Sequence, residues 1–330
     1  MQKLVLVTGA TGFIGGHLTR RLLKEGYTVR VFVRAPQKLT STLRESCEVI
    51  VGDLENEEAL LSAGDGVDVI FHCAANVNTW DSDVAYQVVN SQGVRDLMQA
   101  IHKKNPLLSR LVHLSSADVY GFPDAPCQEE DQVTGGEFGY GQTKLLGENW
   151  VRSLGDEWGL SYTILRPCNV IGPGSQFIKR IGKELRSGVM LTVDGGHSHA
   201  GLIYIDNLVD DLVWAGNALS AHQECFNLRD DEDIDWATFL HVFRKEIAGK
   251  GLIINVPYRV ANALAQILNA FHRKFLPRSE PLWHPLLVRF FGKTCGHSPT
   301  KIRRLIPAYP RVGFAEAMRR SGQWLIETDG

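Results

Sequence analysis

The chain has few features that would mark it as a secreted, nucleic-acid-binding or membrane-spanning protein. Its six cysteines (Cys47, Cys73, Cys127, Cys168, Cys225, Cys295) are scattered, with no Cys-x-x-Cys pair and no metal-ligand spacing. Neither a disulfide framework nor a zinc site is expected, and free thiols in a reducing compartment are. Charge of one sign is lacking too: 35 basic residues against 37 acidic ones leave a net charge of −2, which offers no footprint for nucleic acid. No apolar run approaches the roughly 20 residues a spanning helix needs. The run Leu4–Val7 is interrupted by Gly9 too soon for a signal peptide. The expectation is a cytoplasmic protein with a small-molecule substrate and no nucleic-acid partner. Its 330 residues suffice for one large domain or two modest ones.

The first half, by contrast, has a clear rhythm. Lys3–Val7 is a short apolar run that opens into a glycine-rich turn. From Phe13 the period becomes helical, with Ile14, Leu18 and Leu22 in step until Gly26. Thr28–Val33 reads as a β-branched strand, and further strands are expected at 48–51, 67–73, 111–115 and 162–165. Helices are expected between them at 55–62, 84–103 and 140–154. Such alternation predicts an α/β fold, a parallel sheet covered on both faces, with ligands bound beyond the carboxyl ends of its strands.

The turn after the first strand is Thr8-Gly9-Ala10-Thr11-Gly12-Phe13-Ile14-Gly15. Glycines there let the backbone turn sharply and approach a pyrophosphate, which the following helix N-terminus stabilises. A turn that merely needs positive φ is the bland alternative, and three glycines at intervals of three argue against it. The spacing is G-x-x-G-x-x-G, and in this the chain resembles the extended short-chain dehydrogenase/reductase superfamily. The resemblance implies that Gly9, Thr11, Gly12, Phe13, Ile14 and Gly15 hold a nicotinamide dinucleotide. It also implies roles for Asp53-Leu54 beside the adenine and for His72-Cys73-Ala74-Ala75, whose small Ala74 and Ala75 make room for the cofactor. Asn90 matches an asparagine that ties the active-site backbone together. After the second strand stands Val33-Arg34-Ala35-Pro36-Gln37-Lys38, with no carboxylate to accept a ribose 2′-hydroxyl. Arg34, with Lys38 as a second charge, suits the 2′-phosphate of NADP(H), which is expected ahead of NAD(H).

Tyr140 and Lys144 lie one helical turn apart and so share a face. A tyrosine hydroxyl has a pKa of about 10, and a neighbouring ammonium together with the positive nicotinamide ring of an oxidised cofactor would bring it toward the range useful for proton transfer. Alone, Tyr-x-x-x-Lys is common on surface helices; at this distance from the glycine turn it matches the superfamily's catalytic pair, whose lysine also holds the nicotinamide ribose. Leu114-Ser115-Ser116-Ala117-Asp118-Val119-Tyr120-Gly121 resembles a segment in which the second serine, here Ser116, bonds the reacting oxygen. Ser115 is expected to pack or touch cofactor. Asp118 lacks the adjacent acid of the sugar dehydratases. Leu165–Gly174 resembles a segment in which Pro167, Asn169 and Val170 line the carboxamide, with Arg166 structural.

The carboxyl-terminal half separates the branches. Sugar-nucleotide enzymes carry an arginine where Ala200 stands, and losing that phosphate clamp weakens such a site. Tyr204-Ile205-Asp206-Asn207, Phe226–Glu232, the helix from Trp236 and the tail at 307–312 instead resemble the 3β-hydroxysteroid dehydrogenase-like and dihydroflavonol reductase-like branch. The implied fold is a Rossmann-type doubly wound parallel sheet with a smaller, mainly helical carboxyl-terminal substrate domain. Residues 1–170, with a return segment near 202–226, would bind the dinucleotide; 171–201 and 227–330 would form the substrate domain. The implied reaction interconverts a secondary alcohol and a ketone on a bulky, largely apolar substrate such as a sterol, flavonoid or long-chain hydroxy compound. A nucleotide-sugar epimerase or dehydratase is the runner-up, and a non-catalytic NADP sensor is a third reading. The superfamily also implies a homodimer paired through 84–103 and 140–154.

Residues 259–304 depart from the average, with nine basic residues and one acid, Glu280: +8 in a chain of net −2. Val260, Leu264, Ile267, Leu268 and Phe271 recur there at helical spacing. The plain expectation is a helix that packs this face inward. The sharper one is a lid resting peripherally on an anionic membrane.

Overall fold

A computed structural model describes residues 3–329 except 79, 137–138, 277–280 and 282; Arg278, Glu280 and Leu282 of the basic segment therefore lie outside the described residues. Eleven strands occur among the described residues: β1 (Leu4–Thr8), β2 (Thr28–Val33), β3 (Glu48–Val51), β4 (Val69–His72), β5 (Arg110–Leu114), β6 (Tyr162–Pro167), β7 (Asn169–Ile171), β8 (Val189–Val193), β9 (Leu202–Tyr204), β10 (Glu224–Leu228) and β11 (Leu252–Val256). Seven form one sheet in the order β10-β6-β5-β4-β1-β2-β3, every neighbour parallel. From β1 the chain winds outward to β3, then returns to β4 on β1's other side. The crevice between the ends of β1 and β4 is thus the switch point where such sheets take ligands.

The strand sequences are apolar because both faces are covered. Successive residues point to opposite sides, so Val5 and Val7 join one core with Leu18 and Leu22, while Leu6 joins the other with Leu97 and Met98. Helices Phe13–Lys24 and Ile205–Asn217 cover the first face; Gly93–Lys104 and Gly139–Trp158 cover the second. Gly26, at φ 87°, ends the first helix where a β-carbon would be strained. The helix expected at 84–103 is interrupted: Asp83–Gln87 runs into a π-helical turn at Val88–Gln92, then into Gly93–Lys104. Such turns often accompany functional sites, and Asn90 lies in this one.

The rest of the chain is helical around two small parallel ribbons, β7 with β9 and β8 with β11. Its core is aromatic: Trp236 packs against Phe239, Phe290 and Phe291, and its indole N–H donates to the Phe290 carbonyl at 3.1 Å. Three segments of the carboxyl-terminal resemblance, 204–207, 226–232 and 307–312, meet in one polar knot. Asn207 donates to Asp230 and to the Val312 carbonyl, and Arg311 pairs with Asp211 at 2.8 Å and Asp230 at 3.2 Å. Their pattern in the sequence is therefore structural, fastening the tail to the sheet.

All six cysteines are free thiols. Among the described residues no cluster suited to a metal ion occurs, and no helix is long and apolar enough to cross a membrane. Inward packing of the basic segment's helix is overturned. Helix Tyr258–Phe275 buries just Ala261 and Ala265 and exposes its large apolar side chains.

Candidate active site

The glycine turn lies at the switch point. Gly9, at φ 75°, passes so close to β4 that a β-carbon would sit 2.8 Å from the Ala74 nitrogen. One on Gly15 would overlap the Gly9 carbonyl, whereas one on Gly12 would meet that oxygen at 3.2 Å and otherwise fill open space. Gly9 and Gly15 thus fold the turn, and Gly12, capping helix Phe13–Lys24, leaves its free N–H end open to the cavity. That cradle fits a dinucleotide pyrophosphate. Thr8 Oγ1 accepts from the Ala74 amide at 3.1 Å and lies 2.8 Å from His72 Nδ1, fixing the two strand ends.

The second group gathers at the end of β5. Ser116 caps a short 3-10 turn at Ala117–Tyr120, its Oγ accepting from the Asp118 amide at 3.2 Å, and it is hydrogen-bonded to Tyr140. Tyr140 begins helix Gly139–Trp158 with its ring edge-on to Tyr86. Asn90 clamps the Asn76 backbone through both its amide atoms, at 2.8 and 3.0 Å, and donates to Thr143 at 3.3 Å. It ties the loop after β4 to the tyrosine helix. Ser115 donates to Glu148 at 2.6 Å, and Glu148 holds Arg166 through two hydrogen bonds, so both Ser115 and Arg166 belong to a buried network behind the site.

A cavity of about 970 Å³ runs from the glycine turn past these groups into the carboxyl-terminal half. Thr11, Gly12, Phe13, Lys38, Ser116, Tyr140, Asn169 and Val170 line it. Other residues singled out in the sequence stand behind or beside it. Ile14 packs against the core, Pro167 ends β6, and Leu54 is wedged against Gly93. Asp53 is exposed and accepts from the Glu55 amide, and Arg34 is exposed outside the lining. Lys144 is fully buried, its ammonium donating to the Leu114 carbonyl at 2.6 Å.

Two lining residues were not anticipated. His17 (bonded to the Pro173 carbonyl at 2.9 Å) and Arg20 lie on the cavity face of the first helix. Their spacing from Phe13, four and seven residues, was a readable sign. Asp118 and Cys168 face the cavity near Ser116, and the far wall is apolar, with Trp283, Leu286, Leu287 and Phe290.

The chain's own groups set the electrostatics of the site. Burial pushes the Tyr140 hydroxyl above its ordinary range, and the Asp118 carboxylate pushes it the same way, against the Ser116 hydrogen bond. Burial likewise pushes the Asp118 carboxyl up to about 6 and the Lys144 ammonium down to about 8, with Glu148 and Cys73 opposing the latter. Within the chain, burial and Asp118 rather than Lys144 set the Tyr140 hydroxyl. That direction favours the protonated form that a proton donor needs.

Comparison with known proteins identifies the family. Residues 5–228 match the NAD dependent epimerase/dehydratase family. The chain is 25% identical over 323 residues to a 4-hydroxy-2-methyl-3-oxo-4-farnesyl-3,4-dihydroquinoline-1-oxide ketoreductase of Stigmatella aurantiaca, covering 96% of each. It is 27% identical over 330 residues to a 3-beta-hydroxysteroid dehydrogenase of Mycolicibacterium neoaurum, covering 95% of this chain and 89% of that one. The UDP-glucuronic acid 4-epimerase of Bacillus cereus, solved with NAD, shares the fold with a TM-score of 0.77 at 20% identity, over 98% of this chain and 99% of that one. The chain belongs to the NAD dependent epimerase/dehydratase family, within the extended short-chain dehydrogenase/reductase superfamily, and is an NAD(P)-dependent enzyme.

Proposed function

We propose that the protein interconverts a secondary alcohol and a ketone on a bulky, largely apolar substrate, with NADP(H) as its preferred cofactor. The observation that carries this reading is the cavity's far wall. Trp283, Leu286, Leu287 and Phe290 face Ser116 and Tyr140 across one continuous space, an arrangement suited to an apolar body with a single polar reacting end. Ala200, where a phosphate-clamping arginine would stand in a sugar-nucleotide enzyme, is fully buried. The ketoreductase and the hydroxysteroid dehydrogenase among the relatives support the same class.

The nicotinamide supplies or takes the hydride when bound. Tyr140 gives its proton to the substrate oxygen as a carbonyl is reduced and takes it back from the alcohol in the reverse direction. Ser116 holds that oxygen, orienting the carbonyl beside Tyr140. Lys144 supplies positive charge behind the tyrosine, and Asn90 fixes the loop after β4 against the tyrosine helix. Gly12 and the helix behind it hold the pyrophosphate, while Arg34 and Lys38 hold the 2′-phosphate. A panel of steroid, flavonoid and aliphatic ketones, followed by NADPH absorbance, tests this reading. Turnover is expected with at least one bulky apolar ketone. Tight binding of UDP- or dTDP-sugars with no ketone turnover would make the protein an epimerase instead.

We also propose a two-fold dimer through helices Gly93–Lys104 and Gly139–Trp158. Leu146 is exposed on the latter, and the half-buried Trp150 lies under the Arg95 guanidinium of the former, side chains that a second copy would cover. Sedimentation at micromolar concentration should give a dimer; monomer alone would remove the proposal.

A further inference from the structure

Helix Tyr258–Phe275 is apolar on a face that no described residue of the chain covers. Val260, Leu264, Ile267, Phe271 and Phe275 recur at steps of three and four residues and so form one stripe. Ile267 is 66% exposed, Phe275 59%, and the other three 50% each. Ala261 and Ala265 are the helix's fully buried residues, and Tyr258 at its start is half-buried against Gly292, so little of its large apolar surface is covered. Immediately before it, Leu252, Ile253 and Ile254 of β11 are exposed as well, and Leu252 pairs with the half-open Val189 at the cavity's edge. A soluble protein exposes large apolar side chains singly; a continuous stripe marks a surface that meets something.

Charge decides what it meets. From 247 to 279 the chain has no Asp or Glu but carries Lys250, Arg259, Arg273, Lys274 and Arg278. Of these, Lys250, Arg259, Arg273 and Lys274 are exposed in the structure. Two copies meeting on this stripe would bring like charges together, which costs affinity. An anionic lipid surface would meet both properties, apolar residues entering the acyl boundary and the cations lying among headgroups. The position fits a substrate from that phase, because the helix packs on Pro285–Gly292, whose Leu286, Leu287 and Phe290 line the cavity.

We infer that helix Tyr258–Phe275, with the β11 segment before it, docks the enzyme on an anionic membrane beside the entrance to its cavity. The surface stands independently of which ketone the site reduces. Co-sedimentation of the full chain with vesicles tests it, using phosphatidylcholine alone or mixed with phosphatidylglycerol, at low and at moderate salt. The protein should pellet with the anionic vesicles, and the association should fade with salt. An Ile267→Glu/Phe271→Glu variant should lose it while keeping the wild-type melting temperature and turnover of a water-soluble ketone. Arg259→Gln and Lys274→Gln should each weaken it about fivefold, the equivalent of about 1 kcal/mol per cation. Protein left in the supernatant under every condition would overturn the inference. So would vesicle binding that survives Ile267→Glu/Phe271→Glu. A dimer that this variant dissolves, without vesicle binding, would give the stripe to a second copy and overturn it too.

Discussion

Replacing Tyr140 by phenylalanine should leave NADPH binding nearly intact and lower turnover by about two orders of magnitude or more, the usual cost of lost general acid work. The ring stays, so its edge-on contact with Tyr86 and the start of the helix are preserved, and what goes is one hydroxyl bonded to Ser116. Cofactor affinity measured by fluorescence titration and turnover measured by NADPH absorbance separate the two effects. Retention of most of the wild-type rate would remove Tyr140 as the proton donor. The same residue carries a pH signature. Burial first, then the Asp118 carboxylate, raise its hydroxyl, so the protonated form persists to higher pH than in free tyrosine. Reduction, which uses that form, should hold its rate into alkaline solution. Oxidation needs the deprotonated form and should rise with pH. Asp118→Asn removes the negative charge, so the rise of the oxidation rate should move to lower pH; an unmoved profile would mean that the carboxylate does not act on Tyr140.

Arg34→Asp should weaken NADPH far more than NADH. A charge-assisted hydrogen bond to phosphate is worth about 1.5–3 kcal/mol, which corresponds to a shift of roughly tenfold to a hundredfold. The new carboxylate would repel a 2′-phosphate yet accept a 2′-hydroxyl, so the two cofactors should move in opposite directions. Arg34 is exposed at the end of β2, so its replacement touches no core and should not change the melting temperature. Equal affinity of the native protein for both cofactors would refute the assignment before any substitution.

What could be read from the sequence follows from how local each cause was. β2 and β3 occur at the residues expected, because short β-branched runs between turns have little else to become. Gly9 and Gly15 were legible because only glycine tolerates the backbone approaches they make. The π-helical turn around Asn90 was not, since its signal is a backbone hydrogen-bond shift and not a composition. Lys144 shows the same limit. Its spacing from Tyr140 was plain, but its carbonyl partner lies thirty residues away in sequence, and burial depends on the whole fold. Helix Tyr258–Phe275 misled for another reason. Periodicity reports that a helix has an apolar face, and it is silent on whether the protein itself covers that face.

The last strand of the main sheet has a consequence for how the molecule is made. β10, at Glu224–Leu228, pairs with Thr163–Pro167 of β6, and the segment before it is wired into the interior. Arg110 donates to the Ala215 carbonyl at 3.2 Å, and Thr163 donates to the Ala221 carbonyl at 2.6 Å. A ribosome that has released only the first 170 residues has therefore produced a sheet with a bare edge at β6, the kind of edge that recruits other chains. The main sheet cannot be completed until the chain has left it, contributed β8 and β9, and come back. Contacts so distant in sequence slow folding, and during that interval the nascent enzyme depends on whatever shields β6.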